Sequence, residues 1–112
     1  MKMILAVIRP SKLEEARDSL TSLDVTGMTV SEVKGFGRQG GYTEIFRGAE
    51  HEIHFVPKTK IEVAVTNDIA DRAISAIRES ANTNKIGDGK IFVFDIGQTI
   101  RIRTGETDAN AL

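Results

Sequence analysis

The chain is predicted to form an α+β domain, an antiparallel sheet with both helices on one face. Three observations lead there. Strand-like and helix-like segments follow one another in the order β-α-β-β-α-β. Each helix has a single apolar stripe, so it has one face to bury. The two middle strands are joined by a long glycine-rich connection rather than by a helix. This order is the ferredoxin-like split βαβ arrangement.

The elements can be justified in turn. Residues 2–9 form a continuous apolar run, suited to a central strand covered on both faces. Ser11-Lys12-Leu13-Glu14 has the capping-box pattern that opens a helix. Leu13, Arg17, Leu20 and Leu23 then fall on one side, Ala16 widens the stripe, and Gly27 marks the exit turn. Residues 28–36 alternate enough for a second strand, and residues 56–66 are rich in Val and Ile and give a third. Asn67-Asp68 is predicted to cap a second helix, with Ile69, Ala70, Ala73, Ile74, Ile77 and Ala81 as its core stripe. Residues 90–97 read as the fourth strand and Thr99 to Arg103 as a short fifth.

Bulk properties narrow the function classes. A chain of 112 residues is expected to be one domain spanning 1–112, and 40% hydrophobic with 28% charged residues is an ordinary globular composition. A net charge of −1 supplies no field for nucleic acid or an anionic membrane. Cysteine is missing, which removes disulfides and thiolate metal sites and fits a reducing interior. The apolar N-terminus stops at Arg9-Pro10, too short for a membrane span, and a cytoplasmic location is expected.

Two features are left over by the fold. A single helical layer leaves the other sheet face, with its Ile and Val, exposed to water, and an apolar face of that size marks an oligomer interface that a closed cyclic assembly would bury. Residues 37–55 hold four of the ten glycines and many charges, far more chain than a hairpin needs, and read as a recognition element.

The chemistry concentrates in two glycine-and-cation segments, Lys34-Gly35-Phe36-Gly37-Arg38-Gln39-Gly40-Gly41 and Lys85-Ile86-Gly87-Asp88-Gly89-Lys90. Glycine lets backbone N–H groups turn around an anion, and adjacent Lys or Arg neutralises it. Nine of the 15 Lys and Arg lie in residues 34–60 or 85–103. Together with Arg101 and Arg103 these segments suggest a phosphate cradle assembled from several pieces. Neither matches the P-loop or the dinucleotide fingerprint.

The most specific stretches are Thr29-Val30-Ser31-Glu32-Val33-Lys34-Gly35-Phe36-Gly37-Arg38-Gln39, Phe46-Arg47-Gly48-Ala49-Glu50, Thr83-Asn84-Lys85-Ile86-Gly87-Asp88-Gly89-Lys90-Ile91-Phe92-Val93 and Arg101-Ile102-Arg103-Thr104-Gly105-Glu106. In these the chain resembles the PII signal-transduction family of nitrogen regulators, from Met1 to about Glu106. The resemblance implies a cytoplasmic homotrimer with nucleotide sites in the clefts between subunits. It implies competitive binding of ATP and ADP, and of 2-oxoglutarate together with ATP and Mg2+. The family's T-loop corresponds to residues 37–55, its B-loop to 82–90 and its C-terminal loop to 101–112.

By the same resemblance, Lys90 would meet the phosphates, with backbone contacts from Gly87, Asp88 and Gly89. Thr29, Gly35, Arg38 and Ala64 match positions that line the nucleotide cleft, Thr29 and Ala64 near the base. Arg101 and Arg103 stand two apart on the expected fifth strand, so their guanidinium forks would share a face within reach of one polyphosphate. The resemblance has them reach the neighbouring subunit's nucleotide. The Gln39 amide oxygen would ligate magnesium, and Lys58 would pair with the distal carboxylate of 2-oxoglutarate. Backbone amides of Gly37, Gln39, Gly40 and Gly41 would surround that ligand. Arg47 matches the arginine that, in channel-binding relatives, plugs an ammonium channel's pore exit.

The chain also departs from the pattern. His51 stands where many bacterial members carry a modified tyrosine, Ala49 occupies the position of a phosphorylated serine, and Tyr42 lies near the loop's start. A regulator read out by ligand occupancy, without covalent modification by those routes, is expected. His51 and His54 would point to opposite faces of an extended segment, so a polar surface role fits them better than a metal pair. The implied partners are regulatory targets such as an ammonium channel or glutamine-synthetase control proteins. The competing function is a small nucleotide-binding protein with slow ATPase activity, for which no base or water-positioning residue stands out. An RNA-binding module is disfavoured by 5% aromatic content and no ribonucleoprotein motif.

Overall fold

The structure, a computed structural model, describes residues 1–36 and 55–112. Gly37, Arg38, Gln39, Gly40, Gly41, Tyr42, Arg47, Ala49, His51 and His54 lie outside the described residues. The elements are β1 (Lys2–Ile8), α1 (Leu13–Thr21), β2 (Met28–Gly35), β3 (Val56–Val65), α2 (Asn67–Ala81) and β4 (Lys90–Asp95). The strands lie in the order β2-β3-β1-β4. Every neighbouring pair is antiparallel: β1 meets β3 from Lys2↔Val65 to Ile8↔Thr59 and β4 from Lys2↔Asp95 to Val7↔Lys90, while β2 meets β3 from Met28↔Val63 to Gly35↔Val56. This is the ferredoxin-like α+β arrangement the sequence predicts.

Strand periodicity sorts the side chains into two faces. Ile4, Ala6 and Ile8 of β1 and Ile61, Val63 and Val65 of β3 point inward and are buried. Ala16 and Leu20 of α1 and Ala70, Ala73, Ile77 and Ala81 of α2 close over them. Alanine recurs on the α2 stripe, at Ala70, Ala73 and Ala81, whereas α1 contributes Ala16 and Leu20. The ladder partners on the other face are Met3, Leu5, Val7, Phe92, Phe94 and Ala64, together with Thr29, Ser31, Val33, Lys58, Lys60 and Glu62. Phe92 and Phe94 are about half exposed, at 46% and 52%. No helix covers this face; its apolar part is Met, Leu, Val and Phe, mostly on β1 and β4, because the isoleucines of β1 and β3 are spent on the core, while β2 and β3 add Thr29, Ser31, Lys58, Lys60 and Glu62.

Three local expectations are corrected. Ser11 does not cap α1: the segment opens at Pro10 in a short 3-10 turn, Pro10–Lys12, with no side-chain cap. Proline preset for the first helical position displaces the capping box. The cap position of α2 falls at Thr66, one residue before the expected pair and with no side-chain cap bond; Asn67 is already helical, and its Oδ1 accepts from the Met1 nitrogen at 2.8 Å. Asp68 sits in the first turn, and its hydrogen bond with Thr66 holds its carboxyl below the usual range.

The third correction concerns Thr99 to Arg103, which do not form a fifth strand. A single bridge, Ile100↔Thr107, closes a tight reversal at Gly105, whose φ of 76° is the left-handed geometry glycine permits. Backbone bonds Gly105 N–H to Arg101 O (2.7 Å) and Arg101 N–H to Glu106 O (2.8 Å) hold that turn. Arg101 and Arg103 therefore do not share a strand face.

Candidate functional site

The best-formed cluster lies where the loop 82–90 meets the ends of β1 and β3. Asp88 organises it. Its carboxylate accepts hydrogen bonds from the Thr83 hydroxyl, from the Thr83 N–H at 2.7 Å and from Arg9 Nε at 2.9 Å. Those donors, the Thr83 hydroxyl first and the Thr83 amide next, hold its carboxyl far below the usual carboxylate range. A depressed carboxylate stabilises above its unfolded-state pKa and loses that contribution as pH falls through the folded one. The loop is therefore expected to stay ordered through about pH 4, near the ordinary carboxylate value, and to loosen only in stronger acid. Following the Gly87 and Gly89 amide resonances against pH checks this, and Asp88→Asn should remove the acid transition and lower amide protection of Thr83 at neutral pH.

Glycine is required at Gly89 for a reason the sequence does not reveal. Its φ is +100°, and a Cβ there would stand 1.8 Å from the Val7 carbonyl oxygen. The loop thus lies directly on β1. Gly87, at φ 105°, takes a second left-handed turn, and Lys58 Nζ donates to its carbonyl. Burial, and then the neighbouring Arg9 charge, lower the Lys58 pKa, against the opposing pull of Asp88. Gly35 sits against Lys58, since a Cβ there would meet Lys58 Cγ at 3.4 Å. Lys90 opens β4 opposite Val7 and is exposed.

Of the residues predicted for a site, Gly35, Lys58, Gly87, Asp88, Gly89 and Lys90 are thus gathered at one end of the sheet. Thr29 and Ala64 share the outer face but stand towards the other end. Lys58 and Ala64 are six residues apart on β3, about 20 Å at strand rise. Ala64 lines an open groove of about 700 Å³ with Val25, Gly27, Ile69 and Leu112. Arg101 turns to the chain's own end, donating to Ala111 O at 3.4 Å and Leu112 O at 3.3 Å, and lies 3.7 Å from Glu106. Arg103 is exposed beside Ile102, which is 99% exposed.

Arg9 and Thr83 also belong to this cluster, and the sequence reading does not single them out for it. Arg9 was read only as the end of an apolar run. The signal that could have found it is an arginine leaving a central strand towards a glycine loop that carries an aspartate.

The family described as Nitrogen regulatory protein P-II matches residues 1–106. The chain is 56% identical to a nitrogen regulatory protein P-II of Rhizobium etli and 57% identical to one of Klebsiella oxytoca. It is 56% identical to nitrogen regulatory protein P-II 1 of Escherichia coli (strain K12). Each of these alignments spans 112 residues and covers both chains in full. Identity at this level over the whole length, on a ferredoxin-like sheet with the glycine loop in place, means that the chain belongs to the nitrogen regulatory protein P-II family.

Proposed function

We propose that the chain, as one domain over 1–112, is a cytoplasmic, non-enzymatic integrator of nitrogen signals that works as a homotrimer. Three intersubunit clefts bind ATP and ADP competitively, and 2-oxoglutarate joins only beside magnesium-bound ATP. The T-loop, residues 37–55, then presents Arg47 to a target such as an ammonium channel or a glutamine-synthetase control protein. With His51 and Ala49 in place of modifiable side chains, occupancy alone carries the message.

One observation carries this reading: the site residues fall into two groups at opposite ends of one exposed sheet face. Lys58, Gly87, Gly89 and Lys90 can meet phosphates and a carboxylate, whereas Thr29 and Ala64 suit the base, and along the strands these two stand about 13 Å and about 20 Å from the level of Lys58. One subunit does not bring the two groups together, but one group from each of two subunits meeting over the bare face would complete a cleft. Arg101 and Arg103 would enter from the neighbour. For magnesium the fit is through Gln39 and ligand oxygens, the usual mode for this hard ion. Among the described residues no cluster of three or more His, Cys, Asp or Glu offers an alternative cation site. Among the same residues no helix is long and apolar enough to cross a membrane.

Light scattering with calorimetry tests the assembly and the competition together. The expected particle has three times the 12.3 kDa chain mass and binds ADP less tightly as ATP is added. A monomer at micromolar concentration, or simultaneous binding of both nucleotides in one cleft, would refute the reading.

A further inference from the structure

We propose that Arg9 is a positioning residue that sets the direction of the anion-binding amides in the loop 82–90, an inference that rests on the nucleotide reading above. Arg9 leaves β1 as its last residue passes into the Pro10 turn, and its guanidinium enters the loop from behind. Nε donates to Asp88 Oδ1 at 2.9 Å, and Nη2 donates to the Ile86 carbonyl at 2.9 Å. The pair is largely enclosed, with side-chain exposures of 24% and 20%. Lys58 Nζ holds the next carbonyl, that of Gly87.

Two successive carbonyls are thus drawn towards cations. In a planar trans peptide the N–H points opposite to the C=O. Fixing Ile86 O and Gly87 O inward therefore turns the N–H groups of Gly87 and Asp88 to the other side of the loop. Among the described residues neither amide donates to a protein acceptor. Paired amides facing outward from a glycine turn form a concavity for an anion. A guanidinium serves here because its rigid fork satisfies a carboxylate and a carbonyl at once, which a single ammonium does not do with the same geometry. Arg9 acts on the phosphates through the loop and need not touch them.

The test measures ADP and ATP affinity of the full chain by calorimetry, without magnesium or 2-oxoglutarate, for wild type, Arg9→Gln, Arg9→Lys and Asp88→Asn. Arg9→Gln is expected to weaken both nucleotides about tenfold, the scale of a lost charge-assisted contact, and Arg9→Lys by less. The amide resonances of Gly87 and Asp88 should lose most of their ADP-induced shift in Arg9→Gln, while core resonances such as Ile61 stay in place. Because Arg9 acts through Asp88, the double variant Arg9→Gln/Asp88→Asn should lose little more than either single one. Unchanged affinity in Arg9→Gln, or fully additive losses in the double variant, would overturn the inference. If Arg9→Gln does not fold, Arg9→Lys decides: affinity equal to wild type overturns it, and a loss of threefold or more, about half the tenfold in logarithmic terms, supports it. Wild type that binds neither nucleotide would remove the underlying reading as well, so the two failures are distinguishable.

Discussion

Titrated with 2-oxoglutarate beside ATP and magnesium, the protein is expected to bind it at least several-fold more tightly than with ADP or without the metal. A coupling of about 5- to 150-fold is the usual range for two linked sites, and the metal bridge proposed through Gln39 belongs at its upper end. The described end of the site agrees with this direction. Lys58 is held with its pKa lowered, first by burial and then by the nearby Arg9 charge. An incoming carboxylate would offset both effects, and an ammonium has three protons, so Lys58 can meet it while still holding the Gly87 carbonyl. Gln39→Ala should weaken 2-oxoglutarate more than ATP, whereas Lys90→Ala should weaken both nucleotides by roughly 1.5–3 kcal/mol. Calorimetry showing equal 2-oxoglutarate affinity with ATP and with ADP would rule out the bridge.

Gly89→Ala should be the most damaging single-atom addition in the loop. A left-handed backbone costs a non-glycine residue about 1–3 kcal/mol on its own. The methyl would also sit 1.8 Å from the Val7 carbonyl oxygen and 2.9 Å from its carbon, so the loop has to lift off β1. Because the opposing atoms are backbone of a central strand, β1 does not yield in compensation. The variant is expected to lose nucleotide binding by more than the roughly tenfold set for Arg9→Gln. The ferredoxin-like core, which lies on the opposite sheet face, should keep its far-UV circular dichroism. Gly27→Ala is the matched control, since nothing lies within 4 Å of a Cβ there. Normal ADP binding in Gly89→Ala would show that the loop's seat on β1 is irrelevant to the ligand.

The fold was readable because its signals are regular. The apolar run of residues 2–8, the Val- and Ile-rich residues 56–65 and the alanine-rich stripe of α2 are patterns set by burial, and the described core draws on all three, although β1 buries only one of the two faces its continuous run suggests. Irregular geometry was not readable in the same way. Thr99 to Arg103 alternate like a strand, yet Gly105 turns the chain back before a ladder can form. At the site, Gly87 to Lys90 were recognisable from composition, but not what Asp88 and Gly89 do there. Asp88 turns its side chain back towards Thr83, five residues before it, and across to Arg9, and Gly89 makes room for Val7; Arg9 and Val7 are far away in sequence. Arg9 carries no local pattern at all, since its partners lie 77 and 79 residues away.

The residues flanking 37–54, the stretch proposed above to meet a target, are held in register by the ladder up to Gly35↔Val56, and just beyond it Phe36 and Phe55 meet edge-on with ring centroids 6.0 Å apart. Residues 37–54 therefore join two points that the sheet has already brought together. The entropy of closing such a segment grows only with the logarithm of its length, about 0.6 kcal/mol for each doubling. The scaffold is consequently nearly indifferent to what is spliced between these two aromatic posts. Exchanging that stretch among relatives should transfer target choice as a cassette, leaving the melting behaviour of the recipient almost untouched.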